Sequence, residues 1–133
     1  THLDSHHNVH RDPRVLPQFV ALATELGLPL RDHWPVHHCS RFYGQWNGES
    51  HPEQISAENL LHILEMEMSE GVTELSCHPG YVDAGFTTSY SAEREAELRT
   101  LCDAALRRAL AARGIHLANY HHLEQLLPRA AAA

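Results

Sequence analysis

Two short stretches of the sequence concentrate residues that bind metals or move protons. The first is Thr1-His2-Leu3-Asp4-Ser5-His6-His7-Asn8-Val9-His10. In an extended strand side chains alternate between faces, so His2, Asp4 and His6 share one. Neutral imidazole takes Zn, Fe, Ni or Cu, and a carboxylate extends the range to harder ions. Asp4 has a second reading, in which it orients a histidine from behind the metal. The competing account of the whole stretch is a polar strand end with surface histidines. The second stretch is Glu74-Leu75-Ser76-Cys77-His78-Pro79-Gly80. It sets His78 at the carboxyl end of a strand, just before a turn. In α/β folds active sites gather at that end of the strands. There His78 is either a proton-transfer group or a structural histidine bonding the turn. Cys77 faces the opposite way and reads as core.

The elements that must position these residues follow from periodicity and punctuation. Residues 1–10 read as a short strand running into a loop. Asp12-Pro13 reads as a helix start, with Val15, Phe19, Leu22 and Leu26 at helical spacing and Gly27 as the stop. Pro17 sits awkwardly in that helix. Leu28 to Arg31 reads as a short strand, and residues 32–55, with no sustained period, as a long loop. Ser56 caps a second helix that ends near Gly71. Val72 to His78 is a strand and residues 79–90 a loop. Ser91 starts a third, longer helix with a stripe of Leu98, Leu101, Cys102, Ala105 and Ala109, ending at Gly114. Ile115 to Leu117 is a last short strand, Tyr120 to Leu127 a terminal turn or two of helix, and Ala130–Ala133 a frayed end. Alternation of this kind implies an α/β fold of parallel βα units, either a small open sheet or part of a larger barrel.

Composition bounds the partners. The chain has 133 residues, one domain's worth, and 43% hydrophobic residues, enough to build a core. Its ten basic residues are all Arg, against 17 acidic residues and 13 histidines, for a formal charge of −7. That balance argues against a nucleic-acid surface and against a polybasic membrane patch. No apolar run approaches the ~20 residues of a membrane span, and no signal-peptide pattern is visible. Three cysteines with no CxxC pair indicate neither a disulfide framework nor a zinc ribbon, and a reducing, cytoplasmic setting is expected. With Thr at position 1, the chain reads as a piece or a processed form of a longer protein.

Taken together, THLDSHHNVH and ELSCHPG, with Pro13 and Leu16-Pro17 between them, Arg31 after a short apolar stretch, Tyr90, the Glu-rich helix start and Gly114-Ile115, resemble the YdjC-like (ChbG-type) carbohydrate deacetylases. The resemblance covers almost the whole chain. It implies a metal-dependent hydrolase that removes N-acetyl groups from sugars, built on a TIM-barrel-like (β/α) fold. It implies that His6 is a ligand of a divalent ion, Mg²⁺ or Zn²⁺. The family's other ligands, an aspartate of an Asp-Asp pair and a further histidine, have no counterpart here, since the chain contains no Asp-Asp. The chain thus resembles the C-terminal half of a deacetylase barrel, with residues 1–133 as one domain. Asn8 stands where the family often has histidine.

The implied chemistry assigns His78 as the acid that protonates the leaving amine, and a carboxylate, one of the absent aspartates, as the base. Asp4 and Arg31 belong to the same catalytic group, Arg31 orienting a carboxylate or the substrate, unless it is a surface salt bridge. Tyr43, Trp46 and Tyr81 stack on sugar rings or serve as loop-packing aromatics. Two alternatives stand beside the enzyme: a non-catalytic metal- or sugar-binding module, and an assembly subunit. Half a barrel exposes edges and an apolar face, so homo-oligomers or pairing with the missing N-terminal half are expected.

Overall fold

The computed structural model describes residues 1–68, 70–85 and 87–127. Ala130–Ala133, expected to fray, lie outside them. The elements are α1 (Leu16–Leu26), β1 (His37–Cys39), β2 (Gln45–Trp46), β3 (Glu49–Ser50), α2 (Ala57–Glu67), β4 (Thr73–Leu75), α3 (Ala92–Leu101), α4 (Ala104–Ala112) and α5 (Leu123–Leu126), with 3-10 turns at His6–Arg11, Pro52–Ile55 and Tyr120–His122. Strand β1 pairs with β4 and β2 with β3. The His37 N–H donates to Val72 and the Ser76 N–H to the Cys39 carbonyl. The bonds advance in one direction along both strands, so β1 and β4 are parallel. The fold is mixed α/β with a parallel sheet. No helix of the described residues is long and apolar enough to cross a membrane.

The chain divides into two compact units, one of Thr1–His38, Glu70–Glu74 and the residues from Ala118 on, the other of Cys39–Ser69 and Leu75–Leu117.

In the first unit, Leu3 and Leu30 make a single parallel bridge, with Leu3 N–H to Pro29 at 2.8 Å and Arg31 N–H to Leu3 at 3.0 Å. The strand expected over residues 1–10 goes no further. His7 and Asn8 take left-handed φ values of 55° and 53°, and the segment coils instead. The period-two argument that put His6 on one face with His2 and Asp4 therefore fails at His6. Helix α1 starts at Leu16 rather than Asp12. Pro17 thus falls in the first turn, where a missing N–H costs nothing. Gly27, at φ 63°, closes the helix as expected, its N–H bonding the last carbonyls. Ala23, Leu30, Leu123 and His10 are the buried residues.

The second unit holds the main apolar cluster: Cys39, Phe42 and Ile55, Leu60, Ile63 and Leu64 of α2, and Leu106 and Leu110 of α4. Ser56 caps α2 through the Asn59 N–H at 3.1 Å. The long loop expected over 32–55 contains a hairpin. Asn47 and Gly48, at φ 53° and 78°, turn β2 back onto antiparallel β3. An Asn-Gly pair favours this turn because both positions need positive φ. The single long helix expected from Ser91 is two. Helix α3 stops at Leu101 and the Asp103 carboxylate caps α4, accepting the Ala105 N–H at 2.7 Å. The break rotates the stripe, leaving Cys102 and Ala105 exposed and burying Leu106 and Leu110. Ile115 to Leu117 is not a strand; the Ile115 N–H closes α4 by bonding Leu110.

Gly44 fixes the loop before β2. A Cβ there would stand 2.8 Å from Cδ1 and 3.1 Å from Cγ1 of buried Ile55. We expect Gly44→Ala to cost about 1–3 kcal/mol by overpacking. Ile55→Val removes Cδ1, so the double variant should lose less than the sum of the singles. Urea unfolding of the four proteins measures this, and additive losses would contradict the contact.

Candidate functional site

Three of the expected site residues stand in the first unit. The Leu3–Leu30 bridge sets their neighbours Asp4 and Arg31 side by side, and Arg31 Nη1 meets Asp4 Oδ2 at 2.8 Å. Through Nε and Nη2 the guanidinium also donates to Glu74 Oε1, at 3.0 and 2.6 Å. The Tyr120 hydroxyl donates to Glu74 Oε2 at 2.8 Å, and the His2 ring stacks on Tyr120 at 3.8 Å. Arg31 is thus a hub between two carboxylates rather than an isolated surface cation. Burial lowers its pKa, but the bond to and charge of Glu74 outweigh this and leave it above the ordinary arginine value. Burial, then the bond to Glu74, push the Tyr120 hydroxyl above the usual phenol range.

His6 is exposed and meets the His7 ring edge-on at 4.0 Å. Among the described residues no three His, Cys, Asp or Glu side chains are grouped to hold a metal ion. His6 does not complete a shell with the residues present.

Behind this loop lies a second network. His10, fully buried, is bonded through Nδ1 to Ser5 Oγ at 2.8 Å and through Nε2 to Asp32 at 3.3 Å. Arg11 forks onto Asp32 at 2.6 and 3.0 Å and donates to His38 Nδ1 at 2.7 Å. The His38 side chain is 6% exposed and its Nε2 has no partner. Burial pulls the His38 pKa below its ordinary value against the charges of Asp32 and Glu74, with Arg11 and Arg31 acting in the same direction as burial. Burial raises Asp32, but Arg11 outweighs it and holds the carboxyl below its ordinary value.

The other expected residues, Tyr43, Trp46, His78 and Tyr81, stand in the second unit. His78 follows β4 with its ring exposed, edge-on to Tyr43 at 5.8 Å and to Tyr90 at 5.6 Å. Tyr43 stacks flat on Tyr90 at 4.6 Å and is 39% exposed. Trp46 is likewise covered on one face by His51, stacked at 3.6 Å. Tyr81 is 89% exposed. Burial, then a bond to Glu97, push the Tyr90 hydroxyl above the usual phenol range. Glu97, fully buried, has no mark in the sequence as a site residue, because acids at helical spacing ordinarily face water. The nearest signal was Tyr90, seven residues before it.

The sequence profile described as YdjC-like protein matches residues 1–112. This chain belongs to the YdjC-like family. It is 33% identical over 126 residues to the carbohydrate deacetylase of Vibrio parahaemolyticus serotype O3:K6, covering 92% of this chain and 50% of that protein. It is 35% identical over 130 residues to the chitooligosaccharide deacetylase of Yersinia pestis strain Pestoides F, covering 90% and 51%. A crystal structure of a proposed cellobiose-phosphate cleavage protein from Enterococcus faecalis V583 superposes with a TM-score of 0.75 at 32% identity, over 92% of this chain and 52% of that one. The chain spans about half the length of the curated relatives it matches.

The networks of the YdjC-like chain make its stability pH-dependent. The unfolded chain protonates His38 near pH 6.5, whereas the folded state resists the proton. Between the two values the unfolded state binds more protons, so this stabilisation is complete above pH 6.5 and is lost as pH falls. Asp32, held low, adds a further loss below about pH 4. We expect urea midpoints to fall from pH 7.5 to pH 5.5, and to fall less in His38→Gln. Equal drops in both proteins would overturn the assignment.

Proposed function

We propose that this chain serves the hydrolytic removal of an N-acetyl group from a carbohydrate or glycoside. The observation that carries the reading is its similarity, over 90–92% of its length, to two curated deacetylases. In this reading His78 gives a proton to the amine nitrogen as the C–N bond of the acetamide breaks, while water supplies the oxygen of the released acetate. Its exposed ring, three residues beyond the end of β4, supports that role. Arg31 and Asp4 form a pair that orients a reacting carboxylate or the substrate. Tyr43 and Trp46 offer one face each to a sugar ring, and Tyr81 its whole ring.

A divalent ion, Mg²⁺ or Zn²⁺, is part of the same proposal, with His6 as one ligand and the others from outside these residues. So is a TIM-barrel-like arrangement. The Leu3–Leu30 bridge and the β1–β4 pair, each closing a parallel βα connection, are the repeat such a barrel uses. In this reading residues 1–133 correspond to the C-terminal half of one barrel domain in a cytoplasmic protein. A further half, or a second copy, covers apolar residues such as Val20, Leu22 and Leu26 of α1, which are exposed.

Acetate release from N-acetylglucosamine oligomers tests the reading, with this chain alone and with it joined to the remaining half of a relative. We expect activity only in the joined form, and a loss on the order of 10²-fold or more in His78→Ala. Calorimetry with Zn²⁺ or Mg²⁺ should show weaker binding in His6→Ala. Sugar binding without acetate release would favour the binding module, and unchanged turnover in His78→Ala would remove the proton-donor role.

A further inference from the structure

Glu97 is a carboxylate taken fully out of water on α3, a helix that also buries Glu93. Burying it is costly unless donors replace the lost solvent. Both of its oxygens are supplied, and by the same place in the fold. Oε2 accepts the backbone N–H of His78, and Oε1 accepts the hydroxyl of Tyr90. That hydroxyl in turn accepts the Gly44 N–H at 3.0 Å, so its own proton must point at Glu97. One relay, from Gly44 through Tyr90 to Glu97 and back to His78, ties together three segments far apart in the chain. Arg94, one turn before Glu97, completes the grip. Its Nη1 donates to the His78 carbonyl at 3.4 Å and its Nε to the Tyr90 carbonyl at 3.1 Å.

The segments so joined carry the three rings Tyr43, Tyr90 and His78, and the ring contacts follow from the relay. Gly44 N–H fixes the residue after Tyr43, the Tyr90 hydroxyl fixes the ring under Tyr43, and the His78 N–H fixes the ring edge-on to both. His78 is followed by Pro79-Gly80, a turn with no helix or strand of its own to hold it. Its anchor is α3.

We propose that Glu97 and Tyr90 are positioning residues that set the place of the His78 imidazole. This rests on the reading of His78 as the proton donor. A proton donor acts within about 2.6–3.2 Å of the atom it protonates. A misplacement of about 1 Å is enough to cost on the order of 10²-fold in rate.

Glu97→Gln and Tyr90→Phe in the complete protein test the proposal by two readouts. In Glu97→Gln an amide N–H₂ replaces one acceptor: facing the His78 N–H it loses that bond, and facing the Tyr90 oxygen it reverses the bond and strands the hydroxyl proton, so the relay is broken either way. We expect the nuclear Overhauser contacts from the His78 ring to Tyr43 and Tyr90 to weaken, while the Leu106 and Leu110 methyl resonances keep their positions. On N-acetylated chitooligosaccharides kcat should fall about 10- to 100-fold with KM within about twofold, since only placement of the proton is lost. Ring contacts and kcat both at the unsubstituted protein's values would overturn the proposal. If Glu97→Gln does not fold, Tyr90→Phe decides by the same two outcomes, because it keeps the carboxylate and removes a single hydroxyl. The underlying reading fails separately, by His78→Ala that keeps its acetate release, a result independent of the ring contacts measured in Glu97→Gln and Tyr90→Phe.

Discussion

A carboxylate buried in a protein must be given donors, and in this chain the donors decide where the chemistry-bearing residues stand. Glu97 takes the His78 backbone N–H and the Tyr90 hydroxyl in one unit. Glu74 takes the Arg31 fork and the Tyr120 hydroxyl in the other. Each arrangement is a glutamate with a tyrosine as neutral donor, and in each the phenol pKa is driven upward, first by burial and then by the bond to the glutamate. They differ in their third partner. Arg31 brings a positive charge that balances Glu74 and Asp4. Glu97 is met through a backbone dipole, and so orients a stretch of chain instead of balancing a charge.

The two units also rest on different stabilising forces. The second is organised around the Phe42, Ile55, Leu60 and Leu106 cluster, where burial of apolar area does most of the stabilising. The first has fewer buried apolar residues and places a histidine, His10, at 0% exposure among them. Its order depends on directional bonds from Ser5, Asp32 and Arg11, and hence on the protonation state of the groups that make them.

Much of this was legible in the sequence and some was not, for reasons that can be named. Ser56 and Gly27 announced a helix start and a helix stop because caps are local chemistry. The α/β class and a strand ahead of His78 followed from pattern, although β4 stops at Leu75 instead of running from Val72 to His78. Strand β1 was invisible because three residues, His-His-Cys, carry no period. The hairpin was missed although Asn47-Gly48 is its signal, because its strands are only two residues long. The helical stripe through Cys102 and Ala105 misled because Asp103 restarts the helix there, and periodicity does not register a break that rotates the face. Glu97 could not be found at all. An acid within Ala-Glu-Arg-Glu-Ala-Glu-Leu reads as solvated, and only tertiary structure turns two of those glutamates, Glu93 and Glu97, inward.

The coil at His6–Arg11 reaches beyond its own geometry. Two adjacent residues with side chains, His7 and Asn8, hold left-handed backbone angles, a conformation that costs roughly 1–2 kcal/mol for most residues. Asparagine is among the few that enter it readily, through local hydrogen bonding of its short amide. Position 8 is therefore restricted in the alphabet it accepts: Gly, Asn, Asp and His fit, and Val, Ile or Thr do not. Asparagine and histidine both belong to that set, so either is compatible with the turn that carries the chain past His6.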